Sequence, residues 1–559
     1  MQLIRIRTDD ELMWYKEIWD AILEEENNDN PFIEFAWFYN WWQIVGRKER
    51  VELYAIEHEG TIRAFFPFTV SIRWGVRVYA FAGENIANYT GVVAKKEWLQ
   101  QVTTFVFDEL IKKHRHILFS LHGLLESKVS TKILEQYFVE RQLRTSLFRV
   151  VTPYLAFSEI DFHRHFNQRR KMHGVDRRER KLRNLGSLER REASQDELWQ
   201  MFRLFDRRWA KKLDTSGFTK GKKRDFFERL TMLKGEALQV EVDALVFENQ
   251  WIAFTYGLCC RGRYVTYALA HEPTFNLFGA GRIVTQEAIQ RTFTANYRLY
   301  DMSIGYESYK FDWRSDIDFT RQMLASSGTK RTNLLAGFLS LKQRLKEFMK
   351  GNQRVVDWKR NTLGHLRYLV KYGKVKDWLE YGQQFVEKFI RLKQVELYEL
   401  SPSEDVSPQQ PVGNLFEEMS IQEAVQLDQE EVMALLYKGY KIYKDSFAET
   451  NKLAFALHAT NWRVDSMQIV EALPKQTYFL AYDVFKQIDI ITAFLRKIKP
   501  AQTLWVSVSF WQWRKRKRKR LVQLGYKPIS RMKHYKLARF ERHRVEKYTE
   551  SGGDVHSVH

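Results

Sequence analysis

Apolar positions along this chain switch repeatedly between a two-residue and a three-to-four-residue period. ELMWYKEIWDAILEE carries a helical face, VELYAIEHE and TIRAFFPFTVS alternate as strands, VTTFVFDELIKKH is again helical, and HILFSLHGL is a strand. That alternation predicts a mixed helix-and-sheet layer over residues 1–155. Residues 156–330 repeat the theme. Two helices, HFNQRRKMHGVDRRERKLRNL and DELWQMFRLFDRRWAKKL, precede strands at ALQVEVDALVFE, WIAFTYGLCC and RYVTYALAHE. A helix at RIVTQEAIQRTFTAN and a strand at RLYDMSIG complete it, with Ile289, Phe293 and Tyr297 expected to face the sheet and Asp301 near the middle of the strand. A shift of 190 positions superposes Ala55-Ile56 on Leu245-Val246 and Ile62 on Ile252, a weak repeat of strand, polar turn and strand.

Residues 331–400 read as wholly helical. Leu334, Phe338, Leu341, Leu345 and Phe348 step by four and three, which makes one helical face. SPSEDVSPQQPVG marks a linker at 401–413. Mixed elements return over 414–545, and 546–559 is expected to be a disordered tail.

A chain of 559 residues is too long for one core, and 44% hydrophobic with 15% aromatic residues argues against wholesale disorder. The two cysteines, Cys259 and Cys260, are adjacent, which excludes an ordinary disulfide between them and any zinc-type spacing. No metal is expected. The opening MQLIRIRTDDELMW has no apolar signal core, so a cytoplasmic location is expected. The net charge of +21 is concentrated in 163–192, 332–393 and the run RKRKRKR at 514–520. A localised basic surface suggests a polyanionic neighbour. For 332–393, bridging of domains with a buried aromatic face is expected; peripheral contact with an anionic membrane, at the inner face, is the competing reading. For 514–520 a solvated helix is expected, against a nucleic-acid patch.

The chemistry is expected in the stretch from Arg263 to Trp313. Here a strand ends at a loop, Phe278-Gly279-Ala280-Gly281-Arg282, which opens a helix. Unpaired N–H groups and the partial positive charge of a helix N-terminus suit a phosphate. Glycines allow close backbone approach, and Arg282 can add a charged contact. Asp301 could act as a base, Tyr309 could protonate a leaving thiolate, and Lys310 could bind an anionic group; each could equally be structural, with Asp301 paired to Lys310 or an arginine. His271-Glu272 is a weaker candidate pair.

These features resemble the FemAB-like branch of the GNAT superfamily, in particular the group of CelD-like or BioF2-like acetyltransferases. The carrying residues are the glycine loop, then Asp301, Gly305, Tyr309, Lys310 and Trp313, with PFIEFAWFYNWW, IRAFFPFTV, FAGENIANYTGVV and RRERKLRNLGSLE upstream. The resemblance spans roughly residues 25–325. The sequence departs from the simplest GNAT signature at Leu277, where an arginine or glutamine is usual. The resemblance implies an α+β chain of tandem GNAT-like mixed-sheet domains, a helical connector and a C-terminal GNAT-like α/β domain. It implies acetyl-CoA or another acyl-CoA as co-substrate, with its pyrophosphate on Phe278 to Arg282. It also implies acyl transfer to the nitrogen or oxygen of a saccharide, amino sugar or lipid-linked acceptor in bacterial cell-envelope or cellulose-like exopolysaccharide synthesis. A FemAB-type aminoacyl transferase using charged tRNA for peptidoglycan, and a non-enzymatic nucleic-acid-binding protein, are the alternatives; apart from that tRNA, no nucleic-acid partner is expected.

Overall fold

The computed structural model describes residues 1–46, 51–83, 86–209, 218–233, 235–351, 362–363, 366–367, 369–370, 375, 378–379, 381–382, 390–402, 415–446, 453–459, 477–481, 488–499, 501–510, 515–537, 540–548 and 555–558. Two compact units emerge, the first made of Met1–Arg180 and Leu188–Arg367, the second of Lys181–Ser187 and Tyr368–His559. The fold is α+β, with mixed sheets flanked by helices.

The first unit carries strands β1 (Gln2–Ile6), β2 (Val51–His58), β3 (Thr61–Arg73), β4 (Val76–Phe81), β5 (Val93–Ala94), β6 (Ile117–Leu125) and β7 (Arg144–Ala156) in its first half. Its second half carries β8 (Leu188–Glu192), β9 (Leu238–Phe247), β10 (Gln250–Cys260), β11 (Arg263–His271), β12 (Leu299–Asp301) and β13 (Asp316–Ser326). The helices are α1 (Asp9–Trp14), α2 (Lys16–Glu25), α3 (Phe35–Ile44), α4 (Leu99–Lys113), α5 (Val129–Glu140), α6 (Phe162–His173), α7 (Val175–Arg183), α8 (Leu198–Trp209), α9 (Lys222–Leu230), α10 (Ala280–Thr294) and α11 (Lys330–Gly351). The weak repeat corresponds to two equivalent hairpins. β2 and β3 turn through Glu59-Gly60, β9 and β10 through Glu248-Asn249, and all four residues have positive φ. Such two-residue turns match the right-handed twist of the strands they join.

All thirteen strands form one sheet, in the order β1-β2-β3-β4-β6-β13-β7-β12-β11-β10-β9-β8 with β5 beside β3. Its centre is an exchange. β13, the last strand of the second half, lies between β6 and β7 of the first. It pairs antiparallel with β7 from Asp316↔Tyr154 to Ser326↔Arg144 without a break. β7 in turn pairs with β12. The division expected at residue 155 is therefore a boundary along the chain and not in space. Neither β7 nor β13 was expected from the hydrophobic pattern.

Apolar clusters pack on the sheet. One joins α1, α2, α3, α8 and α9 to the strands through Trp19, Phe38, Phe65, Phe227 and Tyr256; another seats α4 and α5 on β2–β6 through Phe107, Phe119 and Phe138. Each such side chain contributes roughly 1.5–3 kcal/mol by leaving water. Gly174, at φ 57°, ends α6 and splits the expected single basic helix into α6 and α7.

The second unit has a nine-stranded sheet, with β14 (Ile390–Leu400), β15 (Phe416–Glu418), β16 (Lys441–Asp445), β17 (Leu453–Ala459), β18 (Thr477–Ala481), β19 (Leu504–Phe510), β20 (Lys527–Leu537), β21 (Phe540–Tyr548) and β22 (Val555–Val558). Its order is β15-β16-β17-β18-β19-β14-β20-β21-β22. Two expectations are corrected. Residues 390–400 are not helical but form a strand held between β19 and β20, whose ladders satisfy its backbone. Val555–Val558, in the expected disordered tail, pairs with β21. The helix Ile488–Ile498 joins β18 to β19, which run parallel through Thr477↔Leu504 to Phe479↔Val506. The basic run is helical from Lys515, as expected. The bulk of the 401–413 linker lies outside the described residues.

The two halves of the first unit also meet at one buried carboxylate. Asp301 is fully buried at the end of β12, not its middle. The Tyr89 hydroxyl of the first half donates to it at 2.8 Å, the Arg263 Nε of β11 at 3.0 Å, and the Ser303 backbone N–H at 2.6 Å. Burial alone would favour a neutral Arg263, but the Asp301 carboxylate outweighs it and holds the guanidinium's pKa above its ordinary value. Burial, reinforced by the same carboxylate, pushes the Tyr89 phenol well up, so it remains a donor. Replacing Asp301 by alanine strands the Arg263 charge in the interior. Asp301→Ala is expected to lower the unfolding free energy by about 3–5 kcal/mol, read by urea denaturation, with Asp301→Asn losing less.

Candidate functional site

β11 and β12 run parallel, but only through Arg263↔Leu299, Tyr264↔Tyr300 and Val265↔Asp301. Beyond that point β12 ends. The chain follows β7 instead, with the Met302 N–H on Pro153 O at 3.1 Å and the Gly305 N–H on Val151 O at 3.0 Å. β11 continues to His271 along β10. The two strands therefore splay, and the edge of β11 from Thr266 to His271 faces the opening.

The first half has the same beginning and a different end. β4 and β6 run parallel from Arg77↔Ile117 to Tyr79↔Phe119. There the chain itself closes the gap. Thr90 bridges Leu124, and its N–H donates to Gly123 O at 2.9 Å. A Cβ on Gly123 would lie 2.9 Å from the Asn88 carbonyl, so the close approach needs a glycine. The same segment then reaches into the second half. Tyr267 of β11 donates to Ile86 O at 2.8 Å, and Asn88 donates to the Ser303 hydroxyl. The first half thus supplies one wall of the opening between β11 and β12.

At the mouth of that opening lies the glycine loop. Gly279 adopts the left-handed conformation (φ 70°, ψ 36°), closing a short 3-10 turn, Pro273–Phe278, and capping α10. An L side chain there would be strained. The N–H groups of Arg282 and Ile283 fold back on Gly279 O at 2.8 and 3.1 Å. Phe278 and Ala280 are buried anchors of the loop. Two basic side chains flank it. Arg178 of α7 lies 3.2 Å from where a Cβ on Gly279 would stand, and the His271 ring 2.9 Å from a Cβ on Gly281. Arg282, expected to meet the phosphate, is paired with Asp312 at 3.0 Å, and His173 lies 3.7 Å from the same carboxylate. Arg178 is the loop cation that sequence reading did not single out. Its helix was noticed as basic, but periodicity could not show which arginine turns toward Gly279 after the break at Gly174.

The other expected residues separate. Asp301 is committed to the Arg263, Tyr89 and Ser303 contacts, which makes an arginine, not Lys310, its ion-pair partner. Lys310 is buried; its ammonium donates to Ile304 O at 2.5 Å and lies 3.3 Å from Glu307. Tyr309 is half-buried on the turn Ser308–Phe311. Trp313 is buried beneath α6, its ring tilted against Phe166 with centroids 5.3 Å apart, and its carbonyl meets His165 at 3.0 Å. Phe293 packs on Phe162 of α6, with ring centroids 3.8 Å apart, and not toward the sheet as expected. His271 bonds Asn276 at 2.8 Å, and Glu272 pairs with Arg207 at 3.0 Å. Burial pushes the thiols of Cys259 and Cys260 up, so neither is a ready thiolate nucleophile. Among the described residues no group of three His, Cys, Asp or Glu is placed to hold a metal ion.

Comparison with known proteins bears on this segment. Residues 169–311 match the family model described as "Acetyltransferase (GNAT) domain". No curated protein matches the chain. Among solved structures, the chain is similar to a conserved protein of unknown function from Bacteroides thetaiotaomicron, with 13% identity and a TM-score of 0.40 over 58% of this chain and 100% of that one. It is similar to a tandem GNAT protein from the clavulanic acid biosynthesis pathway, with 10% identity and a TM-score of 0.37 over 59% and 99%. A third is FemX, with 8% identity and a TM-score of 0.40 over 57% and 97%. The segment that matches this model holds β8 to β12, the glycine loop and α10.

Proposed function

We propose that the chain is an acyl-CoA-dependent N- or O-acyltransferase whose acceptor is a saccharide, amino sugar or lipid-linked sugar of the cell envelope or an exopolysaccharide. The observation that carries the acyl-CoA reading is the splay of β11 from β12, with the Phe278–Arg282 loop at its mouth inside the segment matching the acetyltransferase family. The residues fit the co-substrate. A left-handed glycine, a helix N-terminus and the Arg178 guanidinium suit a diphosphate. The free edge of β11 offers backbone groups to an extended amide-containing arm. The saccharide class is supported by the likeness of FAGENIANYTGVV and the Asp301-to-Trp313 constellation to CelD-like and BioF2-like acetyltransferases, and by the polar wall of Asn88, Ser303 and Tyr267. A lipid-linked acceptor would bring the enzyme to a bilayer surface.

In this reading an acceptor amine or hydroxyl attacks the thioester carbonyl. A new C–N or C–O bond forms as the C–S bond breaks, the acceptor's proton passes to solvent, and the sulfur leaves as thiolate. Asp301 acts as a positioning residue, since its lone pairs are engaged in fixing β12 to Tyr89 and Arg263. Tyr309 is the candidate proton donor to the thiolate, and Lys310 shapes the turn that carries it.

Calorimetry with acetyl-CoA and longer acyl-CoAs should show binding that Gly281→Asp and Arg178→Glu each weaken by about tenfold or more. Absence of affinity for any acyl-CoA overturns the proposal, and binding of a charged tRNA in its place establishes the aminoacyl-transferase alternative. Tyr309→Phe should leave acyl-CoA affinity unchanged while lowering kcat by roughly 10²-fold or more. An unchanged kcat removes Tyr309 from the chemistry.

A further inference from the structure

α11 packs on β13, β4 and β6 through Thr332, Leu335, Ala336 and Leu339. A helix with one apolar stripe would end its account there. α11 has a second stripe on the opposite side. Leu334 is 69% exposed, Phe338 51%, Leu341 58%, Leu345 55% and Phe348 76%. These five are the single helical face that the sequence pattern identifies. The structure buries the other face.

The stripe does not stand alone. The tip of the β3–β4 hairpin lies beside it, with Ile72 56% and Trp74 58% exposed. The Trp74 and Phe338 rings are 5.2 Å apart, and Arg331 reaches Gly75 at the same tip. Trp74 holds a left-handed turn position (φ 52°), a conformation uncommon for a bulky residue, and presents its indole outward there. The result is one continuous outward apolar strip from two elements, larger than scattered surface residues account for.

Its surroundings say what it fits. α11 carries six basic residues against one acidic residue. At 100° per residue, Lys342 lies along one edge of the stripe and Arg344 along the other, with Lys330 at the stripe's N-terminal end. Such basic side chains lay their stems along an apolar boundary and keep their charges at an anionic surface. Among the described residues no helix is long and apolar enough to cross a membrane, so the arrangement suits lying on one. We infer that the exposed face of α11, together with the Trp74 hairpin tip, docks the protein on an anionic lipid bilayer. This inference stands apart from the acyl-transfer reading, because none of its residues belongs to the glycine loop or the splayed strands.

The test is co-sedimentation of the full chain with vesicles of phosphatidylcholine alone, or with about one third phosphatidylglycerol. The wild type should pellet with the anionic vesicles and be released as salt is raised. Phe338→Ser with Leu345→Ser, and separately Lys342→Glu with Arg344→Glu, should each lower the partition coefficient by about tenfold or more. All four side chains are exposed, so thermal unfolding should match wild type; should the serine pair fail to fold, the charge pair decides. Failure of the wild type to bind, or equal binding by folded variants, overturns the inference. So does sedimentation of the lipid-free wild type as a dimer that Phe338→Ser dissociates, which would assign the face to a second copy.

Discussion

A carboxylate removed from water must be met by donors or lose its charge. Asp301 is fully buried and is met from three directions: by Arg263 on the neighbouring strand, by Ser303 just after it, and by Tyr89 from the other half of the unit. Much of the unit's geometry follows from that contact. It ends β12 after three residues, brings the Asn88–Tyr89 segment across from the first half, and leaves β11 to continue without it. The opening at the candidate site is the gap that this departure creates.

The exchange of β7 and β13 explains how two halves of similar construction come to differ. Each half starts a parallel strand pair and then lets it diverge. In the first half the chain returns through Thr90 and fills the space, with Gly123 permitting the backbone contact. In the second half the filling segment is the wall supplied by the first. Because β7 and β13 are paired over their whole common length, the halves cannot shift against each other without breaking a ladder of backbone hydrogen bonds. The wall and the glycine loop are therefore held in fixed relation, which is what preorganised acyl transfer requires.

The alternation of periods in the sequence was enough to read an α+β fold, the paired hairpins near residues 59 and 248, and a glycine loop opening a helix at 280. These are local properties: turn chemistry, apolar spacing and the conformational freedom of glycine act over a few residues. β7 and β13 escaped notice because their character is not local. DIDFTRQMLAS and RTSLFRVVTPYLA mix charged, polar and apolar positions, since parts of each strand are exposed, and one contains a proline. β14 does not read as a strand because the alternation in IRLKQVELYEL breaks after Leu392.

The site shows the same division. The sequence by itself determined which residue types lie near the loop, including the basic helix and Asp301. Only the tertiary structure decided their roles. It paired Arg282 with Asp312, brought Arg178 to Gly279 after the break at Gly174, and engaged Asp301 with Arg263. It also chose which face of α11 to bury, since helical periodicity defines a face but not the surface that receives it. Charge and spacing are written along the chain, whereas the partner of each charge and the cover of each apolar face depend on contacts between segments far apart in sequence.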